Sequence, residues 1–170
     1  MKKALTTIVI ILTAVCVYSQ AGNNIQDGYQ IFRYPNGTIS SEGIFKNGKP
    51  EGFWRSFYVT GVKKSEGRYT NFQLDSIWLF YDQAGDTIEK INYLFGKRNG
   101  YSFKYKKDPF KGIYVYSKEL FAGDKREGTA FFYFPEGKMQ QTLSYSNGKK
   151  EGLSKEFDLN GNVITLLEYN

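Results

Sequence analysis

Few side chains in this 170-residue sequence are equipped for catalysis, and two kinds that usually serve it are nearly missing. Histidine is absent, and the single cysteine, Cys16, lies inside an apolar N-terminal run. Beyond that run there is no Ser–His or Cys–His nucleophile system and no usual zinc site. Carboxylates remain. Glu42 and Glu66 are candidates for the paired acids of glycoside hydrolysis. They occupy equivalent places 24 residues apart, however, so a repeat explains them without an acid–base role. A second column, Glu51, Asp75, Asn99, Glu127 and Glu151, recurs at similar spacing. Calcium wants six to eight oxygens at one point, whereas these would recur two strands, or roughly 10 Å, apart. Acidic and amide oxygens that satisfy backbone N–H groups near turns account for the column. The sequence therefore predicts no catalytic residue, no metal site and no cofactor.

The elements behind these columns are short and periodic. Glycine recurs at Gly28, Gly52, Gly100, Gly128 and Gly152, with Ser76 in the remaining slot. Nine residues after a start stand Gly37, Gly61, Gly85, Gly137 and Gly161. Seventeen residues after a start stand Phe45, Tyr69, Tyr93, Tyr145 and Tyr169, with Phe121 fitting once an insertion near Lys106–Gly112 is allowed. Three agreeing columns define an array of about six units of about 24 residues. Within a unit, aromatic and β-branched residues suit strands, and Asn36-Gly37, Asn47-Gly48, Asn147-Gly148 and Asn160-Gly161 are hairpin signals. The glycines are read as turn residues. The predicted fold is all-β, an elongated antiparallel array of β-hairpins in up-and-down order. Single hairpins are marginal in water, so the units must stack.

Alternation along a strand divides the side chains between two faces. Positions one and five of the units (Tyr29, Phe53, Phe57, Ile77, Tyr81, Tyr101, Tyr105, Tyr133, Leu153 and Phe157) are expected to form the core with the column at position seventeen. The opposite face would carry positions two, four and six. There Phe32, Tyr34, Trp54, Tyr58, Trp78 and Phe80 form an aromatic strip, which gives way to Ser154, Glu156 and Asp158 in the last unit. The strip is the candidate binding surface, for a partner protein or for sugar rings. Packing is the competing role for Trp54 and Trp78.

The phrase Phe45-Lys-Asn-Gly-Lys-Pro-Glu-Gly-Phe-Trp-Arg-Ser-Phe-Tyr58, followed by Gly61, resembles the bacterial variant of the MORN repeat. Tyr145-Ser-Asn-Gly-Lys-Lys-Glu-Gly152 and Tyr93-Leu-Phe-Gly-Lys-Arg-Asn-Gly100 repeat it, and the resemblance extends over residues 28–170. It implies a β-hairpin array used for protein or surface association without catalysis, with antitoxin-like relatives and a proposed lipid-binding role in the wider class. The fourth unit departs most, with Pro109 breaking the turn-glycine column.

Lys2-Lys3, an apolar run from Ala4 to Tyr18 and small or polar residues beyond read as a signal peptide over 1–19, cleaved before Gln20. The run is shorter than the roughly 20 apolar residues that span a bilayer. A short linker, 20–27, would then lead into the repeat domain at 28–170. Membrane attachment would require an uncleaved signal or lipidation at Cys16, where Val15 is unsuited to processing. Net charge is +6. It falls to +4 once Lys2 and Lys3 are removed, and the remaining charges are interspersed. Nucleic acid is therefore not an expected partner. Lys104, Lys106, Lys107 and Lys111 cluster at the insertion, as a solvated loop or as a contact for an anionic polymer or headgroup. The expected protein is an exported, periplasmic or secreted scaffold that engages another envelope protein. A glycan-binding module and an antitoxin or immunity-like protein are the alternatives.

Overall fold

A computed structural model describes residues 26–170. The signal segment, most of the linker and Cys16 lie outside the described residues. The first unit folds as β1 (Gly28–Arg33) and β2 (Ile39–Lys46), the second as β3 (Lys49–Phe57) and β4 (Lys63–Thr70). The third follows as β5 (Gln73–Tyr81) and β6 (Thr87–Leu94), the fourth as β7 (Lys97–Asp108) and β8 (Gly112–Ala122). In the fifth, a two-residue piece, β9 (Lys125–Arg126), precedes β10 (Gly128–Tyr133) and β11 (Met139–Ser146). The last comprises β12 (Lys149–Lys150), β13 (Gly152–Phe157) and β14 (Val163–Tyr169). All belong to one antiparallel sheet in chain order, with β9 pairing β8 and β12 pairing β11. The hairpin array expected from the repeat is the fold. The fourth-unit insertion lengthens β7 and β8, placing Pro109 in their connecting turn.

Two kinds of turn join the strands. At Asn47-Gly48 and Asn147-Gly148 both residues have positive φ, as a tight two-residue hairpin turn requires. At Asn36-Gly37 only the glycine does, and the Tyr34 N–H reaches Thr38 O across a longer loop. The unit-start glycines need a correction, because they are not turn residues. Gly52 sits inside β3 with φ +70°, and there the pairing with β2 jumps from Gly43↔Trp54 to Ile44↔Glu51. At Gly52, Ser76 and Gly100 the column marks a mid-strand β-bulge, which bends the strand and re-aims its side chains, whereas Gly28, Gly128 and Gly152 open their strands. Ser76 holds the same left-handed conformation, φ +58°, despite its Cβ.

The two faces are the reverse of the sequence expectation. Cross-strand partners share a face, and Gly52 pairs with Tyr69, so position seventeen sides with the even positions. Even positions therefore carry the core: Phe45, Trp54, Trp78, Phe121 and Ala130 are buried, with Ile91 and Leu143 opposite small partners. Tyr29, Phe53, Ile77, Tyr101 and Leu153, expected inside, are between 46% and 58% exposed. The position-five residues Phe57, Tyr81, Tyr105, Tyr133 and Phe157 are half-buried.

With a single sheet, side chains on one face must bury one another. Rings do this in a continuous ladder: Phe45 meets Trp54 edge-on at 5.3 Å, Trp54 meets Tyr69 at 6.2 Å, and Tyr69 meets Trp78 at 5.2 Å. Phe32 and Phe80 stack on the two tryptophans at 6.4 and 6.3 Å. Each such pair adds about 0.5–1.5 kcal/mol beyond its buried area. Room for the indoles comes from two glycines. A Cβ at Gly43 would lie 2.4 Å from the Trp54 ring, and one at Gly67 would lie 2.2 Å from Trp78.

Candidate interaction face

Each member of the expected aromatic strip has a structural task. Trp54 and Trp78 are 8% and 5% exposed, and their Nε1–H groups donate to Ile44 O and Arg68 O at 3.0 Å. Phe32 and Phe80 pack against that cluster. The Tyr34 hydroxyl donates to Phe57 O at 2.7 Å, and Tyr58 donates to Tyr81 O at 2.8 Å. Each tyrosine thus ties its own unit to the next. The strip is brought together, as expected, with Trp54 and Trp78 as its buried centre and Phe32, Tyr34, Tyr58 and Phe80 half-buried around them. At position two, the change from tryptophan to serine tracks the size of the residue opposite. Glycine faces tryptophan in the early units, and Ile91 faces Ser102 later on.

The opposite face presents what the ladder does not consume. Tyr29, Phe53, Ile77, Tyr101 and Leu153 form a row across the sheet, with members two strands, or roughly 10 Å, apart except where Thr129 interrupts it. Ile31 and Ile44 widen it at the N-terminal end, each 46% exposed. Tyr29, Ile44, Phe53, Glu42 and Arg55 line a shallow cleft of about 160 Å³. An exposed apolar band of this extent, rimmed by polar groups, is the usual mark of an interaction surface.

Charges beside the band are held in fixed positions. Arg55 lies between Glu42, at 3.3 Å, and Glu66, at 3.6 Å, with its guanidinium 5.1 Å from the Phe53 ring. These two carboxylates are thus repeat positions sharing one cation. Glu66 also accepts from Lys63 Nζ at 3.0 Å and the Tyr81 hydroxyl at 2.6 Å. Partial burial alone would raise its pKa, but these donors hold the carboxyl below its usual range. Burial and the bond to Glu66 push the Tyr81 hydroxyl up to about 12. Further along, Lys118 lies over the Tyr101 ring at 4.3 Å. The basic cluster at the insertion is mostly engaged within the chain. Lys104 faces Glu89 at 3.5 Å, Lys107 meets Asp86 at 2.5 Å, and Lys106 sits 3.3 Å over Tyr116.

Of the carboxylates that precede the unit starts, Asp75 accepts from Thr70 and Ser76 hydroxyls, and Glu127 accepts from Asn147 N–H. Of these three bonds only the one to Glu127 is the expected backbone turn chemistry, those to Asp75 coming from side-chain hydroxyls. The sequence signal for the exposed row was present but inverted. Counting inward from the Asn47-Gly48 and Gly61 turns would have paired the unit-start glycine with the aromatic at seventeen, and so put Trp54 inside and Phe53 outside.

Comparison with known protein families finds the MORN repeat variant at residues 26–47, 126–147 and 150–170. Each matched segment begins two residues before a unit start. A sequence comparison with curated proteins found no match.

Proposed function

We propose, from the three segments that match the MORN repeat variant, that the chain is a protein-interaction scaffold working through its exposed apolar face. Repeats of this family are generally protein- or membrane-interaction modules, compatible with a non-catalytic role. The observation that carries the choice of face is the burial contrast. The tryptophans are consumed by packing, while Tyr29, Phe53, Ile77, Tyr101 and Leu153 stand about half exposed in one row. Half-buried rings fixed on a rigid sheet lose little conformational entropy when a partner covers them. The basic N-terminus followed by an apolar run supports export and a partner in the cell envelope.

The test is capture from native envelope extract on immobilised residues 20–170, run in parallel with the Phe53→Ser/Tyr101→Ser variant. One protein retained stoichiometrically by the wild type, and at least about tenfold less by a variant of unchanged melting temperature, is the expected outcome, since losing two central aromatics costs at least about 1.4 kcal/mol. Equal retention by both proteins, or retention of glycan alone, would overturn the proposal.

A further inference from the structure

Position fifteen of the units faces into the ladder, and the last unit breaks its pattern. Gly43, Gly67, Ile91, Glu119 (counted past the insertion) and Leu143 hold this position in the first five units, and all are buried. Leu167 holds it in the last unit and is 50% exposed. The difference lies in the neighbours. Each earlier residue sits between two strands, whereas β14, among the described residues, pairs with β13 alone. Position fourteen, on the opposite face, changes at the same place. It reads Glu42, Glu66, Lys90, Lys118 and Thr142, and then Leu166, which is 58% exposed.

An edge strand presents a row of backbone N–H and C=O groups that the sheet does not pair, and proteins usually guard it with lysine, proline or a bulge. β14, Val163–Tyr169, holds neither lysine nor proline, and Glu168 is its single charge. Its one break in register against β13 lies at the turn end, leaving Thr165–Tyr169 regular. Val163, Ile164, Leu166 and Leu167 are all at least half exposed. Elsewhere in the molecule a β-strand covers these positions. The residue it brings against position fifteen follows size, tryptophan over Gly43 and serine over Ile91.

We propose that a second copy of this chain covers the edge, the two β14 strands pairing antiparallel about a twofold axis at Leu166. In that register Leu166 opposes its own counterpart, Leu167 opposes Thr165 of the second copy, and Glu168 opposes Ile164. A small residue thus meets the leucine, and no carboxylate meets another. Continuing the array head to tail fits less well. The register of β2 with β3, carried over to β14 and β1 of another copy, sets Gln30 against Leu167 and Asp27 against Glu168. Like charges directly opposite destabilise a strand pair. The twofold contact is also self-complementary and closes at two copies. Directly opposed residues share a face, so the dimer carries both apolar rows on one side. Only that consequence rests on the scaffold reading: a partner with two sites would gain avidity.

The test is sedimentation equilibrium of residues 20–170. The contact is short, so a dimer with a dissociation constant of roughly 10 µM is expected over a range of about 1–200 µM. Leu166→Lys sets two ammonium groups beside the axis and should weaken the dimer at least about tenfold. The side chain is already exposed, so the melting temperature of the dilute protein should not change. Crosslinking checks the register independently, since Cys16 is the sole cysteine of the sequence and lies outside residues 20–170. Leu166→Cys should join two copies on mild oxidation, because directly opposed strand residues lie about 4.5–5.5 Å apart at Cα, within disulfide reach. Glu168→Cys should not, its two counterparts being offset by four residues, or roughly 13 Å, along the strands. The proposal is overturned by a monomer throughout the range, which would leave the edge to a strand of another protein. Association continuing past two copies, or equal crosslinking from Leu166→Cys and Glu168→Cys, would overturn it too. Neither readout uses the row from Tyr29 to Leu153, so failure here leaves the outcome of the capture experiment standing, and the converse also holds.

Discussion

Phe53 and Trp54 are consecutive, yet one ring is 48% exposed and the other 8%, because adjacent side chains on a strand point to opposite faces. Trp54 has the Gly43 surface beneath it, Phe45 and Tyr69 against its edges, and a carbonyl for its N–H. Removing it leaves a hole among groups that no second layer can fill. Trp54→Ala should therefore lose about 3–5 kcal/mol of stability, and Phe53→Ala about 1 kcal/mol or less. Parallel urea unfolding of the two variants measures the difference. Similar losses would mean that the faces are assigned wrongly. At this scale the sequence was legible in part. It showed which residues are aromatic and at what spacing, but not that Gly43 and Gly67 are packing partners of the indoles.

The element that hid the faces is the bulge. A strand read by simple alternation keeps its faces throughout, whereas units two to four carry an irregularity at their starts and all six carry one near the turn, as at Ser56/Phe57. Hairpin turns were legible because Asn-Gly pairs have few other uses. The unit-start glycines looked like more of the same, although at Gly52 and Gly100 the left-handed φ serves a bend inside the strand. Ser76 is the informative exception. A left-handed backbone costs a residue with a Cβ roughly 1–2 kcal/mol, offset only in part by the exposed Ser76 Oγ bond to Asp75 at 2.9 Å. Ser76→Gly is accordingly expected to raise the melting temperature by about 2–4 °C, the shift that about 1 kcal/mol gives in a chain of this size. Scanning calorimetry would show it, and an unchanged or lowered midpoint would argue against a bulge at this position.

At the scale of the whole molecule, repetition made the architecture readable, since three columns at one spacing admit few folds other than a stacked array. Function was less readable, because it depends on which face is spent on packing, and that is settled by cross-strand pairing. Once the ladder has taken Phe45, Trp54, Tyr69 and Trp78, the row from Tyr29 to Leu153 is left to water or to a partner. Placing a photo-crosslinking phenylalanine analogue at Ile77, in the middle of that row, tests the central claim most directly when done in the producing cells. Glu136, in the turn between β10 and β11, serves as the comparison position. One discrete crosslinked protein from Ile77, and none from Glu136, is the predicted result. No product at Ile77, or the same product from both positions, would contradict it.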